Sequence, residues 1–421
     1  MPVDFTLTEA QLQARQLTRQ FAQTHLTKVK QAIDGLPTPE ERFLAIKPFY
    51  EEMVKAGFMK GIIPVRDGGT YISLLDVAIG GEEASIGDVN VPCSLFSSGL
   101  GLQPIIQKGT AEQRKRLLAP FLVDTGAPLA AFAFSEVGGT ANFDDPNPAV
   151  GIGTVARRDG NEWVISGHKH FTTNGYGWSG EGPDLFTVVC RTDMSEPPEK
   201  SLSVIAVPRP ARGLSFGKTL DTMGHRACLS PRVTFDEVRV PIDNIVGKPG
   251  DGARILTNTF SWTAAMVGVG AVAIMRQAFE AAWNFARSDK RNGVVPIIEH
   301  QNVGFMLADI KMRLEAARYM VWKAAHYFEE TGGQGGELPI MAKVYCSELA
   351  VQVVYDAMRV VGVESYADEL PFTRLLQDVI ALPLYDGGNM GVRRRQLHNL
   401  LRDAAYDPLA AAENRVSGST L

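Results

Sequence analysis

The chain has few cysteines, no excess of positive charge and none of the short motifs that mark several large enzyme classes. Its four cysteines (Cys93, Cys190, Cys228 and Cys346) are scattered along 421 residues without a Cys-x-x-Cys pair. That spacing offers neither a disulfide framework nor a zinc-binding pattern, and it fits a reducing compartment. His168 and His170 share a strand face, but no third ligand stands near them in the sequence, so no bound metal is expected. The formal net charge of -5 leaves no basic footprint for nucleic acid. The only basic run, Arg393-Arg394-Arg395, reads as a helix surface with one member facing inward. There is no Walker A loop, His-Glu-x-x-His or Gly-x-Ser-x-Gly. Residues 255–275 carry no charge, yet Thr257, Asn258, Thr259, Ser261 and Thr263 among them suit a buried bundle helix better than a membrane span. Met1-Pro-Val-Asp4 lacks the basic and apolar regions of a signal peptide, and Gly418-Ser-Thr-Leu421 lacks the basic residue of a peroxisomal address. A cytoplasmic protein is the expectation.

What is present is a change of hydrophobic period, twice. The first third is helical. Thr8-Glu9-Ala10-Gln11 reads as a capping box ahead of a periodic run to about His25, and further helices are expected around 40–57, 73–87 and 111–120. From about 128 to 245 the period falls to two. Trp163-Val-Ile-Ser166, Leu185-Phe-Thr-Val-Val-Cys190, Leu202-Ser-Val-Ile-Ala-Val207 and Arg232-Val-Thr-Phe235 are strand-like. Asp159-Gly160, Gly180-Glu-Gly-Pro183 and Pro208-Arg-Pro210 separate them as turns. After about 251 the helical period returns, with helices expected near 251–287, 298–330, 338–361, 371–381 and 389–403. The fold class expected is α+β, mainly α: an N-terminal helical domain (1–127), a central antiparallel β domain (128–245) and a C-terminal four-helix bundle (246–421). Two Gly-x-Gly-x-x-Ala matches, at 151–156 and 268–273, do not lie between a strand and its following helix, so a Rossmann nicotinamide site is not expected.

Candidate chemistry lies in four places. In Tyr385-Asp386-Gly387-Gly388 a lone carboxylate follows an apolar segment, sits on a glycine turn and precedes an arginine-rich helix. An acid held there suits proton abstraction from carbon, although Asp-Gly-Gly alone also reads as a plain turn. Phe134-Ser-Glu-Val-Gly-Gly-Thr-Ala-Asn142 is a glycine-rich loop whose hydroxyl and amide donors could cradle a phosphate or a ring edge. Phe171-Thr-Thr-Asn174 sets an aromatic beside hydroxyls at a strand end. Arg291 and His300-Gln301 flank a helix N-terminus, which favours an anion. Together they point to a flat cofactor with polar edges.

These stretches resemble the acyl-CoA dehydrogenase superfamily over nearly the whole chain. The landmarks run in order: Gly81-Glu-Glu-Ala84, Phe134-Ser-Glu-Val-Gly-Gly139, Ala156-Arg-Arg-Asp-Gly160, Gly167-His-Lys-His-Phe-Thr-Thr-Asn174, Phe235-Asp-Glu-Val-Arg-Val-Pro241, His300-Gln301 with Leu307-Ala-Asp309, and Tyr385-Asp-Gly-Gly388. The resemblance implies FAD bound between the β domain and the bundle, and a homotetramer. It places the flavin near Phe132, Ala133, Phe134, Ser135, Thr140, Ala141, Asn142, Phe171, Thr172 and Thr173, with Thr173 beside the reactive nitrogen, and beside Leu384, Tyr385, Gly387 and Gly388 of the turn. Arg291, His300 and Gln301 would serve the pyrophosphate and adenosine side, partly across a subunit interface. The family's Gln-x-x-Gly-Gly element reads Arg359-Val-Val-Gly-Val363 here, which leaves the contact at Arg359 in question.

Two further departures concern substrate. The family base is usually glutamate and here is Asp386. The Asp-x-x-Arg pair that helps hold CoA is replaced by Ser261-Trp-Thr-Ala264, which removes the arginine that would face a polyanion. Both departures resemble the nitroalkane oxidase branch, as do Ile298-Glu-His-Gln301, the run from Tyr385 to Gln396 and the closing Tyr406-Asp-Pro408. Thr263 and Thr173 stand where that branch has serines. The resemblance implies that Asp386 takes the proton α to a nitro group, with Arg393 and Thr263 fixing the carboxylate. Dioxygen would be the electron acceptor, and nitrite, hydrogen peroxide and an aldehyde or ketone the products. The alternatives are a dehydrogenase or desaturase on a non-CoA or carrier-bound acyl substrate, an N-oxygenating monooxygenase of the same fold, and a flavin-free scaffold.

Overall fold

The computed structural model describes residues 5–418, so the segments 1–4 and 419–421, on which the localisation reading partly rests, lie outside the described residues. Seven helices open the chain: α1 (Glu9–Thr24), α2 (Val29–Ile33), α3 (Pro39–Ala45), α4 (Lys47–Lys55), α5 (Leu74–Gly87), α6 (Asn90–Lys108) and α7 (Ala111–Leu118). The expected capping box forms at Thr8, whose hydroxyl accepts from the Gln11 N–H while the Gln11 side chain accepts from the Thr8 N–H. Thr38 and Thr110 cap α3 and α7 in the same way.

Helix α6 is absent from the sequence reading, because Pro92, Gly99, Gly101 and Pro104 look like helix breakers. They are there for contact. A Cβ on Gly101 would stand 2.9 Å from the Ala131 nitrogen, and one on Gly99 would stand 3.1 Å from the Trp262 ring. The glycines let α6 press its backbone onto the sheet and the bundle.

Eight strands make one sheet: β1 (Ala130–Ala133), β2 (Val155–Asp159), β3 (Glu162–Lys169), β4 (Leu185–Arg191), β5 (Leu202–Pro208), β6 (Leu214–Thr219), β7 (Pro231–Pro241) and β8 (Ile245–Val246), with the short helix α8 (Pro198–Ser201) between β4 and β5. The order is β6-β7-β3-β2-β4-β5-β8. Pairing is antiparallel through most of the sheet, but β1 runs parallel to β4, with Phe132 opposite Thr187, and β2 touches β4 in parallel at Val155 and Arg191. Alternate residues of β1 face opposite cores. Ala130 and Phe132 join the large helical core, whereas Ala131 and Ala133 join the sheet's own core with Ile165, Val188 and Phe235. This alternation turns Phe132 toward the bundle.

The bundle consists of α9 (Gly252–Ser288), α10 (Gln301–Glu330), α11 (Glu337–Val361), α12 (Phe372–Ala381) and α13 (Arg394–Arg402). Helix α9 is long and apolar enough to cross a membrane, but 94% of its most apolar window is buried inside the protein, as its internal hydroxyls suggested. It packs against α5, α6, α10 and α11. A buried ion network ties these helices. Glu83 of α5 receives Arg15 and Arg19 of α1 and Arg276 of α9, and Glu82 pairs with Arg318 of α10 at 2.9 Å. Burial works against the Glu83 carboxylate, but Arg19, Arg15 and Arg276 outweigh it and hold it at about 2.

Gly101→Ala is expected to lower stability by about 1–3 kcal/mol, because the added methyl meets sheet backbone rather than a flexible side chain. Urea denaturation followed by far-UV circular dichroism measures this; an unchanged midpoint would show that α6 can slide off β1 at no cost.

Candidate active site

The Asp386 turn follows α12. Asp386, Gly387 and Gly388 take positive φ in succession, at 52°, 88° and 56°. For the non-glycine Asp386 that conformation costs about 1–2 kcal/mol, and the surroundings must hold it. Arg393 does so twice. Its Nε donates to the Asp386 carbonyl at 2.8 Å and its Nη2 to Asp386 Oδ2 at 2.7 Å. Gly387 is required by this grip, since a Cβ there would stand 3.0 Å from Arg393 Nε. Residues Gly388–Arg393 wind as a π-helix before α13 begins, a rare local geometry that recurs at functional sites. The sequence pattern predicts only a helix there.

The Asp386 and Arg393 side chains are 6% and 1% exposed, so this is an ion pair removed from water. Arg393 also lies over the Phe260 ring at 5.2 Å and reaches the Phe260 carbonyl and Gln396 Oε1, both at 3.3 Å. Thr263 donates its hydroxyl to Asp386 Oδ1 at 2.7 Å. Each carboxylate oxygen therefore has one fixed donor and keeps a lone pair for an incoming proton. Of the three residues expected to be catalytic, the structure brings all of them together.

A second cation stands behind the turn. Lys343 of α11, fully buried, donates to Asn389 Oδ1 at 2.7 Å, and Asn389 Nδ2 donates to Ser347 Oγ and Glu348 Oε1. Glu348 in turn holds Arg394 by two bonds, at 2.6 and 2.7 Å. This chain pins the π turn to α11. Burial drives the Lys343 ammonium down to about 8, against the pull of the Asp386 carboxylate. Sequence reasoning missed Lys343, since a lysine inside an amphipathic helix looks like a surface residue.

Beside the turn lies an aromatic wall. Phe260 of α9 meets Phe132 edge-on at 5.7 Å and Phe134 at 5.2 Å. Ala133, between them in the chain, turns the other way into the sheet's own core. The glycine-rich loop runs on through Ser135 and the left-handed Gly138 and Gly139 to Thr140, Ala141 and Asn142, and Ala141 Cβ approaches Gly391 of the π turn. Glu136 within it is a structural clasp. It accepts from Thr154 and from the buried Lys169 at 2.9 Å. The His170 N–H donates to the Ser135 carbonyl at 2.8 Å, which draws Phe171, Thr172 and Thr173 alongside. Thr173 Oγ1 is 3.0 Å from Ser230 Oγ, a neighbour the sequence did not reveal. Asn174 commits its Nδ2 to Ser94, Ser98 and Ala130, while its buried Oδ1 has no hydrogen-bond partner among the described residues.

These residues fit a flat ring with polar edges. Thr172 Oγ1 is buried without a hydrogen-bond partner among the described residues. Val137, Phe171 and Leu384, from the same three stretches as the expected flavin contacts, are more than half exposed (59%, 54% and 72%). Arg291, His300 and Gln301 lie in or beside the α9–α10 connection, and Arg359 lies near the end of α11. Arg291 binds Glu364 at 2.8 Å and the Val361 carbonyl, and it lies over Phe285. Arg359 is held by Asp356 at 3.0 Å.

A buried, doubly anchored carboxylate beside an aromatic wall and an unpartnered hydroxyl suits a flavin-dependent oxidoreductase, and comparison with known proteins shows that class. Residues 8–124, 131–238 and 250–401 match the N-terminal, middle and C-terminal domains of acyl-CoA dehydrogenase in turn. The chain belongs to the acyl-CoA dehydrogenase family, whose members are FAD flavoproteins. It is 38% identical to a nitroalkane oxidase of Podospora anserina, over 97% of this chain and 98% of that protein. It is 30% identical to the mitochondrial short-chain specific acyl-CoA dehydrogenase of Sus scrofa, over 90% and 87%. The structure of a nitroalkane oxidase active-site mutant crystallised with 1-nitrohexane superposes with a TM-score of 0.93 at 37% identity, covering 98% of this chain and all of that one.

Lys343 gives a pH test. Its folded value near 8 lies below the ordinary 10.5, so burying the ammonium costs stability below pH 8. That cost, on the order of 3 kcal/mol, is relieved as pH rises from about 8 to about 10.5. Relative to Lys343→Met, the wild type should therefore gain stability between pH 7 and pH 10.5 in denaturant titrations. A difference that does not change with pH would mean that Lys343 is solvated.

Proposed function

We propose that this protein is an FAD-dependent oxidase of nitroalkanes, with Asp386 as the base that removes the α proton. The observation that carries the reading is the doubly anchored aspartate, held by Thr263 on one oxygen and Arg393 on the other. The α proton of a nitroalkane is acidic, because both nitro oxygens share the carbanion's charge. An ionised carboxylate fixed in a dry pocket is a sufficient base for it. The proton goes to a free lone pair of Asp386, and Arg393 keeps the carboxyl group's pose through the change of charge. The Thr263 hydroxyl stays on Oδ1, so the acceptor does not swing away as it is protonated. Bound FAD would supply the oxidising chemistry; with dioxygen as final acceptor and water as the source of the carbonyl oxygen, the products balance as nitrite, hydrogen peroxide and an aldehyde or ketone.

The substrate side supports a small molecule without CoA. Ser261 and Ala264, which replace the family's charged pair, are both buried, and Ser261 Oγ is turned back onto the Thr257 carbonyl. No cation stands at those positions to meet a phosphate. The flavin contacts are assigned to Phe132 through Ser135, Thr140 through Asn142, Phe171 through Thr173, and Leu384, Tyr385, Gly387 and Gly388. Arg291, His300, Gln301 and Arg359 lie apart from Asp386, which suits a homotetramer in which they serve the distal end of a cofactor, partly a neighbouring subunit's. The four cysteines, all free, suit a reducing compartment, and the cytoplasm is the location proposed.

Anaerobic titration of the yellow protein with nitroethane should bleach the flavin, and admitting air should restore it with release of nitrite. Asp386→Asn should stay yellow and produce no nitrite. Asp386→Glu, whose carboxylate is displaced by ~1.5 Å, should lose on the order of 100-fold in rate. Full turnover by the Asn variant would sink the assignment of the base. A flavin that nitroethane leaves oxidised would move the substrate to an acyl group.

A further inference from the structure

Close to the reactive turn the fold assembles three soft donors that the sequence keeps apart. Cys93 stands in the first turn of α6, whereas His225 and Cys228 lie three residues apart in the loop between β6 and β7. The two Sγ atoms and a ring nitrogen of His225 all lie within 4.8 Å of one another. The loop is bent to achieve this. His225 takes a left-handed φ of 49°, held there by its N–H, which donates to Asp378 Oδ1 at 2.6 Å. The Cys228 N–H closes the turn onto the His225 carbonyl at 2.8 Å. A strained residue fixed by its surroundings is a reason to look for function.

The hydrogen bonds assign the donor atom. His225 Nε2 lies 3.2 Å from the Asp378 carbonyl, so it carries the hydrogen and donates. Nδ1 is buried and has no hydrogen-bond partner among the described residues. An imidazole oriented through Nε2–H by a backbone carbonyl, with Nδ1 facing two sulfurs, is the arrangement that metal-ligating histidines adopt. Cys228 Sγ has a 3.4 Å contact to the Asn90 carbonyl to give up, and its interaction with the Cys93 thiol is one that a shared cation would replace. The nearby carboxylates are already committed, Asp378 to the His225 N–H and Asp88 to Asn90 and Val91.

We propose that Cys93, His225 and Cys228 form a binding site for a single thiophilic d10 cation, zinc above all, whose occupancy inhibits the enzyme. Two thiolates and an imidazole select zinc over magnesium or calcium. Tetrahedral zinc holds S and N donors about 3.5–3.8 Å apart, so from a spread of at most 4.8 Å the cluster needs to tighten by no more than about 1.3 Å. Three protein donors leave a fourth position open. The His225 ring packs edge-on against Tyr385 at 5.8 Å, and Tyr385 immediately precedes Asp386. Metal at His225 therefore stiffens the wall of the base. Cysteine spacing alone led to the opposite expectation, because His225 and Cys228 find their third partner in a different domain. The inhibitory part rests on the function proposed above; the binding part does not.

The test uses the reduced, desalted holoenzyme in equilibrium dialysis against Zn2+, with metal and flavin both quantified. The expected result is one zinc per chain, with affinity lower by about 100-fold or more in Cys93→Ser/Cys228→Ser and in His225→Gln. Zinc should also protect Cys93 and Cys228 from iodoacetamide in the wild-type protein, read by peptide mass spectrometry, which does not depend on any variant folding. Nitrite production should fall in the wild type with the same zinc dependence and should be insensitive to zinc in the double variant. Absence of stoichiometric zinc, alkylation unaffected by zinc, or uptake unchanged in the double variant would each overturn the site. Zinc uptake and protection in a protein that never turns over nitroethane would leave the site standing and remove the function instead.

Discussion

A carboxylate buried beside a guanidinium constrains everything near it. Removing two charges from water costs several kcal/mol for each ion, and the mutual attraction returns this only when the geometry is good and the remaining polar atoms are satisfied. Arg393 meets that condition with bonds to Asp386 Oδ2, the Asp386 carbonyl, the Phe260 carbonyl and Gln396. The two bonds to a single residue form a chelate, and the chelate fixes Asp386 in its left-handed conformation. Gly387 is then forced by the closeness of the guanidinium. The π turn brings Arg393 into range, and Asn389, Ser347 and Lys343 hold that turn in place. The strain and the unusual winding are thus consequences of one ion pair.

Helix α9 carries this constraint to the rest of the molecule. Within one turn it supplies Phe260, whose ring and carbonyl both face Arg393, and Thr263, whose hydroxyl holds the opposite carboxylate oxygen. Phe260 also packs against Phe132 and Phe134 of the β domain, so Asp386 and the aromatic wall are set by the same helix turn. The glycines of α6 permit the close approach that brings β1 to α9. The ion network through Glu82 and Glu83 fixes α1, α5, α9 and α10 relative to each other at the other end.

The parts of this arrangement that depend on local sequence were legible in advance. The capping box at Thr8, the strands around Leu185 and Leu202 and the long bundle helices all follow from short-range pattern, and the ordered landmarks named the family. Helix α6 was not legible, because its glycines serve tertiary contact and local propensity reads them as breaks. Strands β1 and β2 were missed for a related reason: β1 is buried on both faces and so shows no alternation, and β2 is short and partly exposed. Lys343, Ser230 and the Cys93–His225–Cys228 cluster depend on contacts between distant segments, and no periodicity within one element reports them.

The choice of aspartate over glutamate is itself a consequence of the chelate. Arg393 reaches the carbonyl and the carboxylate of Asp386 together because a single methylene separates the carboxyl group from the backbone. A glutamate would carry its carboxylate ~1.5 Å further out, beyond the reach of a guanidinium already committed to the carbonyl. Thr263 sits 2.7 Å from Oδ1, so it meets the shorter side chain without room for a longer one. The donors, the turn and the base are therefore matched in length. A carboxylate held this close to its own backbone is rigid. The uncharged Ser261 and Ala264 give a long polyanionic substrate nothing to hold.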